Sequence, residues 1–521
     1  MKTNIEDRLV ASKQFLMRHR LFIIVLIIAA FVWTYVFSLA ATDFVTGGFQ
    51  PYRAVWNGSG SIDLFGFTLN LNFEGYVDHD YYYYSWGQQF LNGISPYTDA
   101  FNTFEIGEET YNTPYFFPPL YVYMCALGVA LPIDPFGIGL LISLFGFFTA
   151  FPIYGISAFL SQNNRVGVIS SATYLFNPLV LYHTVFEWLN PAPFVFFAML
   201  SFFLLMRGKR LSGTLAMVTS ALFKQTAVFL ALPLVAYLLR KPPVDNPVPT
   251  EEGEKPAGDN LDIQGFAKIT IYVLIFVGAV SLPYLFDISN YLFYIFQRPG
   301  GLLLSDVTAL PNASQPISFA VILISLNIAI QNLNEAFGIA FPEIPEAIIQ
   351  GVNLGTYYTI LFVLTMIPLL LLMLLEVKDD TKLRQYWSKI MFLSLILMLS
   401  LHLFSPRGIF KYYCVALIPF FAIQPVSKMI KLEAEKTKVS LFMILNPIIF
   451  GVLILFPSRY IYLAYILLIM ISYLLHKHFS LVLGLATDGV RGVFHNILMK
   501  LRGSTEDTGP NDITENTIPN S

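Results

Sequence analysis

The chain has 521 residues, of which 55% are hydrophobic, 16% aromatic and 12% charged, and its net charge is -3. Soluble domains carry about 25% charged residues, so these charges are too few to cover a soluble protein of this size. The composition therefore predicts a polytopic membrane protein, and the near-neutral charge gives no support to nucleic-acid binding.

The N-terminal segment predicts a cytoplasmic end followed by the first membrane helix. Five cations lie within residues 1–20, and an apolar run long enough to span a bilayer begins at residue 21. By the positive-inside rule, residues 1–20 are expected in the cytoplasm. Residues 41–116 then form a long exoplasmic loop.

Apolar runs between residues 117 and 475 predict an all-α bundle of about 12 transmembrane helices. The run 212–239 has cations at both ends and carries Lys224 in its interior. A single crossing would place one of these cation clusters outside the cell or in the lumen, against the positive-inside rule. We therefore predict two short helices that meet at Lys224.

The composition divides the chain into five expected parts. In chain order these are a cytoplasmic N-terminus (1–20), a transmembrane module (21–240) with the loop 41–116, a Pro- and acid-rich cytoplasmic linker (241–265), a second transmembrane module (266–478), and a surface helix with a disordered cytoplasmic tail (479–521).

The long loop contains two acids, Asp78 and Asp80, within the segment DHDYYYYSWGQQF. Two carboxylates at this spacing suit a general base, a metal ligand or both. The alternative is an exposed polar loop. Tyr81 and Tyr84 are candidates to stack on a sugar or an isoprenoid, and the alternative for them is an interfacial aromatic belt.

Lys224 is the most unusual charge in the chain, because apolar-rich sequence lies on both sides of it. A lysine in a membrane segment marks an ion path, an anion site or a buried pair. Gln225 follows it directly. Arg407 and Lys411 are expected on the exoplasmic side, where a phosphate partner would offset the cost of two cations. The alternative is a loop with two solvated cations.

A further polar group lies at another predicted exoplasmic turn, where Glu187 and Asn190 are candidates to hydrogen-bond acceptor hydroxyls. The alternative is an ordinary polar turn before Pro191. Arg298 is a candidate for a further anion contact. Together these positions place acidic and basic groups on one face of the membrane, which suits transfer of a group from a lipid phosphate.

The motifs follow one another as DHDYYYYSWGQQFLNGISPY, YFFPPL, ALFKQTAVFLALP and SPRGIFKYYCVALIPF. This order resembles the GT-C superfamily of polyprenyl-phosphate-sugar-dependent glycosyltransferases, and its mannosyltransferases above all. The resemblance covers residues 20–240 and 400–425. An insert at 98–113 departs from the family pattern. The resemblance implies a bundle of a dozen or so helices with an active-site cavity on the exoplasmic side.

The resemblance also implies a function, namely transfer of a sugar, mannose in many members, from a polyprenyl-phosphate donor to an exoplasmic lipid or glycan acceptor with inversion. Asp80 or Asp78 would be the catalytic base, and Lys224, Arg407 and Lys411 would bind the donor phosphate. Some members need a divalent cation, Mg²⁺ or Mn²⁺, at the acidic pair, and others need none.

The implied location is a multi-pass protein of the cell membrane or endoplasmic reticulum, with both termini cytoplasmic. Two alternatives belong to other classes. One is a secondary transporter, for which intramembrane charge and broken helices would be expected. The other is a membrane protein that binds or flips lipid-linked sugars.

Overall fold

The described part of the chain is predominantly helical. The computed structural model describes residues 2–47, 59–64, 67–72, 78–106, 109–112, 115–240, 261–297, 319–338, 341–348, 366–377, 382–404, 411–429, 439 and 441–455. Met1–Tyr462 form one compact unit and Leu463–Ser521 a second. The second unit lies outside the described residues, and with it the predicted surface helix and tail at 479–521.

The first helix, α1, runs without a break over Lys2–Gly47. Its sequence holds no proline, and no glycine before its last residue, so nothing interrupts the helical hydrogen bonds. Met17–Val45 is apolar and long enough to cross a membrane. Only 17% of its most apolar window is buried inside the protein, which is the exposure expected of a helix that faces lipid.

Two antiparallel β-hairpins lie in the loop that follows α1. Strand β1 (Ser59–Leu64) pairs with β2 (Phe67–Asn72), and β3 (Thr103–Ile106) pairs with β4 (Glu109–Asn112). The sequence FTLNLN alternates apolar and polar residues, which is the period of a strand. The hairpins are an addition to the predicted all-α architecture.

The remaining helices follow in chain order. They are α2 (Tyr84–Leu91), α3 (Pro119–Ala130), α4 (Gly137–Phe148), α5 (Ala150–Ser161), α6 (Asn164–Leu175), α7 (Pro178–Val180), α8 (Pro191–Met206), α9 (Arg210–Phe223), α10 (Ala231–Leu239), α11 (Ile263–Ser281), α12 (Ile288–Leu292), α13 (Phe319–Phe337), α14 (Ile367–Glu376), α15 (Leu383–Phe404), α16 (Ile418–Met429) and α17 (Leu441–Leu455).

The helix break at Lys224 is confirmed. Helix α9 ends at Phe223, and the backbone of Lys224 is extended, with φ −151° and ψ 127°. A 3₁₀ turn over Gln225–Leu230 then leads into α10. The two short helices are therefore separate elements, and the lysine lies at their junction.

Three described helical segments are long and apolar enough to span a membrane: Met17–Val45, Gly137–Ser161 and Ile263–Ile295. Five more apolar helices of the described residues are shorter, Pro119–Ala130 among them. The protein is thus an integral membrane protein. The number of about 12 transmembrane helices and the five-part domain division remain predictions.

An aromatic core holds part of the loop against the bundle. Trp86 of α2 packs edge-on against Tyr115, with ring centroids 5.0 Å apart, and Tyr115 donates a hydrogen bond to the Pro118 carbonyl oxygen at 2.9 Å. Tyr97 packs edge-on against Tyr284, just beyond α11, at 4.8 Å. These contacts hold α2 next to the start of α3.

Candidate functional site

The polar residues of the loop and of the turn after α7 meet at two irregular helical segments. His79–Tyr83 and Leu181–Phe186 each form a π-helical turn. Such turns are rare and are found at functional sites more often than elsewhere. The ring of His79 lies 4.8 Å from the ring of Trp188, in an edge-on contact. Two separate parts of the sequence are therefore joined here.

Trp188 has a strained backbone. Its φ is 56°, in the left-handed region that a bulky residue rarely adopts, and its side chain is fully buried. Phe37 and Phe136 pack on its ring, and a Cβ at Gly139 would run into that ring. This packing fixes a turn that a free chain would avoid, and strain of this kind is concentrated at functional sites.

Lys224 is buried at the helix break. Its Nζ donates a hydrogen bond to Asn190 Oδ1 at 2.6 Å. Asn190 Nδ2 in turn donates to the hydroxyl oxygen of Tyr83 at 2.9 Å. We call Tyr83, Asn190 and Lys224 the polar cluster. It ties the π turn of the loop to the start of α8 and to the end of α9.

Aromatic rings surround the ammonium group of Lys224. Its Nζ lies 4.0 Å from the ring centroid of Tyr413. Three more ring centroids, those of Phe117, Phe194 and Tyr412, lie at 5.7–5.8 Å. Cation–π attraction to these rings replaces part of the hydration that a buried ammonium loses. The charge is thus stabilised where an uncompensated lysine would be costly.

A second buried pair lies beside the polar cluster. His183 Nδ1 and Glu187 Oε2 are 2.6 Å apart, one helical turn from each other in the sequence, and both side chains are nearly inaccessible to solvent. The ring of His183 lies 6.4 Å from that of Tyr412. Glu187, which was expected to hydrogen-bond an acceptor hydroxyl, is therefore paired with His183.

Asp78 lies close to the polar cluster. It precedes the π turn and is partly buried. Burial raises the pKa of Tyr83 well above its ordinary value, and Tyr121 and the carboxylate of Asp78 raise that pKa further. Asp80 and Tyr81 belong to the π turn, but their side chains lie outside the described residues. Their predicted roles as base and stacking residue rest on the sequence alone.

Two predicted site residues make contacts of their own near the cluster. Lys411 is buried, and its Nζ donates to the carbonyl oxygen of Leu455 at 3.3 Å. Gln225 Nε2 donates to the carbonyl oxygen of Phe116 at 2.8 Å. Both side chains thus bind backbone carbonyls and connect segments that are distant in sequence.

The other predicted residues are not brought into the cluster. The hydroxyl of Tyr84 donates to Asp134 Oδ2 at 2.8 Å, on the side of the loop that faces the α3–α4 turn. Arg298 and Arg407 lie outside the described residues. The described chain therefore joins Lys224 to Asn190, and it gives Tyr84 a different partner.

The sequence reasoning missed the aromatic part of the site. Tyr83 was hidden in a run of four tyrosines, and Tyr412 and Tyr413 directly follow Lys411. The KYY triplet was the available signal, because tyrosines next to an intramembrane cation are candidates for cation–π contacts. Only the folded chain shows that the cation they contact is Lys224.

The predicted divalent cation has no support from the described side chains. Among them, no group of three or more His, Cys, Asp or Glu residues is close enough to hold a metal ion. The carboxylate of Asp80 is not one of these side chains, so the predicted site at Asp78 and Asp80 stays a prediction.

Comparison with known proteins adds one family. No curated protein matches the chain significantly. Residues 93–298 match the family described as GPI transamidase subunit PIG-U. The match covers less than half of the 521 residues. It includes Glu187, Asn190 and Lys224, and it ends 115 residues before Tyr413, which therefore lies outside it.

This match corrects the predicted function. By its description, the matching family is a subunit of GPI transamidase and not a sugar-transferring enzyme. The prediction of a glycosyltransferase is therefore wrong, and the match gives no support to a polyprenyl-phosphate sugar donor. What stands of the predicted resemblance is coarser: residues 93–298 match a family of membrane proteins.

Proposed function

We propose that this chain is a membrane-embedded, non-catalytic subunit of a GPI transamidase complex in the endoplasmic reticulum. The observation that carries the proposal is the match of residues 93–298 to the PIG-U family. The matched segment runs from the end of α2 to the segment after α12 and so contains much of the described bundle.

The contacts of the polar cluster support a structural role within such a subunit. Lys224 is enclosed by Asn190 and aromatic rings, and Glu187 by His183. In this proposal, the cluster holds the exoplasmic ends of α8 and α9 against the loop and so fixes the surface that the subunit presents to its complex. The GT-C-like order of motifs then reflects a shared scaffold rather than shared chemistry, because one fold hosts many functions.

The test is genetic replacement in cells of the protein's own source. The gene is deleted and a tagged copy is reintroduced, and a GPI-anchored reporter is counted at the cell surface. We expect deletion to remove the reporter from the surface and the wild-type copy to restore it. Asn190→Leu should restore it poorly, whereas Lys268→Gln, which changes an exposed lysine of α11, should restore it fully. Normal anchoring in the deleted cells would overturn the proposal.

A further inference from the structure

Five exposed cations gather at the end of the bundle opposite the polar cluster. They are Arg18 and Arg20 of α1, Arg165 in the first turn of α6, and Arg207 and Lys209 between α8 and α9. We call them the cationic cluster. In the described part of the chain, none of the five forms an ion pair with a carboxylate; the pair nearby in sequence is Arg210 with Asp262.

Helix α5 brings the first three of these cations together. The hydroxyl of Tyr154 lies 2.6 Å from His19 Nδ1, next to Arg18 and Arg20. Tyr154 also stacks on Phe22, with ring centroids 4.2 Å apart. Gly167, two residues after Arg165, lies so close to Tyr154 that a Cβ there would meet its carbonyl oxygen. Tyr154 therefore contacts both α1 and α6 close to their cationic residues.

The next residue of α5 brings in the other two cations. A Cβ at Gly155 would run into the ring of Phe203, so α5 and α8 are in close contact here. The guanidinium of Arg207 lies 5.3 Å from the centroid of that same ring. Lys209 follows two residues later. Through His19, Gly167 and Phe203, Tyr154 and Gly155 of α5 therefore link the segments that carry the five cations.

This end of the bundle lies at a membrane boundary. One candidate span begins at Met17, beside Arg18, and another ends at Ser161, four residues before Arg165. Anionic lipid headgroups lie at that depth in a bilayer, and arginine binds phosphate oxygens in a bidentate manner. No described acidic side chain forms an ion pair with the cluster to neutralise its charge.

We propose that the cationic cluster binds anionic phospholipid headgroups of the leaflet at this end of the protein. The site goes beyond the role in GPI anchoring proposed above and does not depend on it. The lipid phosphate would lie between α1, α6 and the α8–α9 turn, where the exposed guanidinium groups are free to approach it.

The test uses the purified full chain in phosphatidylcholine bilayer discs that contain a minor fraction of phosphatidylserine. The protein is extracted in mild detergent, and the phosphatidylserine that remains bound is counted by native mass spectrometry. We expect Arg165→Gln and Arg207→Gln each to lower retention about five-fold, and the double variant more. Arg207→Lys keeps the charge and should retain more lipid than Arg207→Gln.

The matched control is Lys268→Gln, which removes an exposed cation of α11 outside the cluster. It should retain phosphatidylserine as well as wild type, because the site is local. Equal losses in the control and in the cluster variants would show a general charge effect and would overturn the site. Unchanged retention of phosphatidylserine in the double variant would also overturn the site. Binding of inorganic phosphate without lipid, to the same extent as phosphatidylserine, would overturn it too.

Discussion

A single amide, Asn190, joins the two most unusual side chains of the site. It accepts from the ammonium of Lys224 and donates to the hydroxyl of Tyr83. Both of its partners are buried, so water is not available to replace either bond. Hydrogen bonds to charged groups contribute more than neutral ones, and the cost of losing such a partner is high.

Asn190→Leu should therefore destabilise the protein by about 1–3 kcal/mol. The double variant Asn190→Leu/Lys224→Met should lose less than the sum of the two single variants, because removing the charge removes the need for its acceptor. The measurement is thermal unfolding of purified variants in detergent, arranged as a double-mutant cycle. Lys268→Met is the matched control and should be close to neutral.

Additive losses of stability at Asn190 and Lys224 would contradict the contact between them.

The sequence pointed to both Asn190 and Lys224, since each is polar in an apolar context. Their pairing was not readable, because they lie 34 residues apart on different elements. The contact of Lys224 with Tyr413 was even harder to predict from the sequence. Tyr413 lies 189 positions after Lys224, so the contact depends on tertiary packing.

At the scale of elements, close helix packing depends on glycines whose role is visible only in the structure. The start of α4 meets the end of α3 where Gly137 lies against the Gly128 carbonyl oxygen, and a Cβ at Gly137 would overlap that oxygen. Gly278 of α11 is the opposite case, since a Cβ there meets no atom within 4 Å.

These two positions give a matched prediction. Gly137→Ala should destabilise the protein by about 1–3 kcal/mol, because the helices must separate to admit the methyl group. Gly278→Ala should be neutral or stabilising by about 0.5–1 kcal/mol, because alanine favours the helix. Unfolding midpoints of the two variants in the same detergent give the comparison. A loss at Gly278 equal to that at Gly137 would contradict the packing described here.

The aromatic core of the loop predicts a dependence on alkaline pH. Burial raises the pKa of Tyr83, Tyr97 and Tyr115 well above the ordinary value of 10.0. In the unfolded chain these hydroxyls lose their protons near pH 10, whereas in the folded chain they keep them. The free energy of unfolding should therefore be unaffected by these groups below pH 10 and should fall as the pH rises beyond it.

Unfolding midpoints measured from about pH 8 to about pH 11 check this expectation. Tyr97→Phe removes one of the three groups, so the decline of its midpoint with pH should be shallower than that of wild type. An identical decline would show that Tyr97 titrates in the folded chain as it does in the unfolded chain.

The elements themselves were largely predictable. Charge placement and run length predicted the break at Lys224. The apolar run from residue 21 predicted the membrane part of α1, but the helix extends beyond that run at both ends, to Lys2 and Gly47. The hairpins were missed because their strands are only four to six residues long. Strand formation there depends on pairing between neighbours, which the periodicity of one short run does not reveal.

At the scale of the whole molecule, two long helices show little burial within the chain. Only 17% of the best apolar window is buried both in Met17–Val45 and in Ile263–Ile295. Such faces are covered by lipid or by other membrane helices. A subunit of a membrane complex offers both kinds of surface, and the proposed function is in keeping with that exposure.

The error about function also belongs to this scale. The order of motifs led to a GT-C scaffold, and the scaffold led to its best-known chemistry, although a fold does not fix a function. The buried acid, histidine and lysine are as suited to holding helices together as to catalysis. The match of residues 93–298 to a GPI transamidase subunit is the finding that overturned the predicted sugar transfer.

The most direct test of the central claim is the composition of the complex in native membranes. The tagged chain is purified in mild detergent at its natural expression level, and the co-purifying proteins are quantified by mass spectrometry. The account predicts that the catalytic and other subunits of GPI transamidase are recovered with it in a fixed ratio. Recovery of the chain without them, while a tag on the catalytic subunit yields a complex that lacks this chain, would contradict the account.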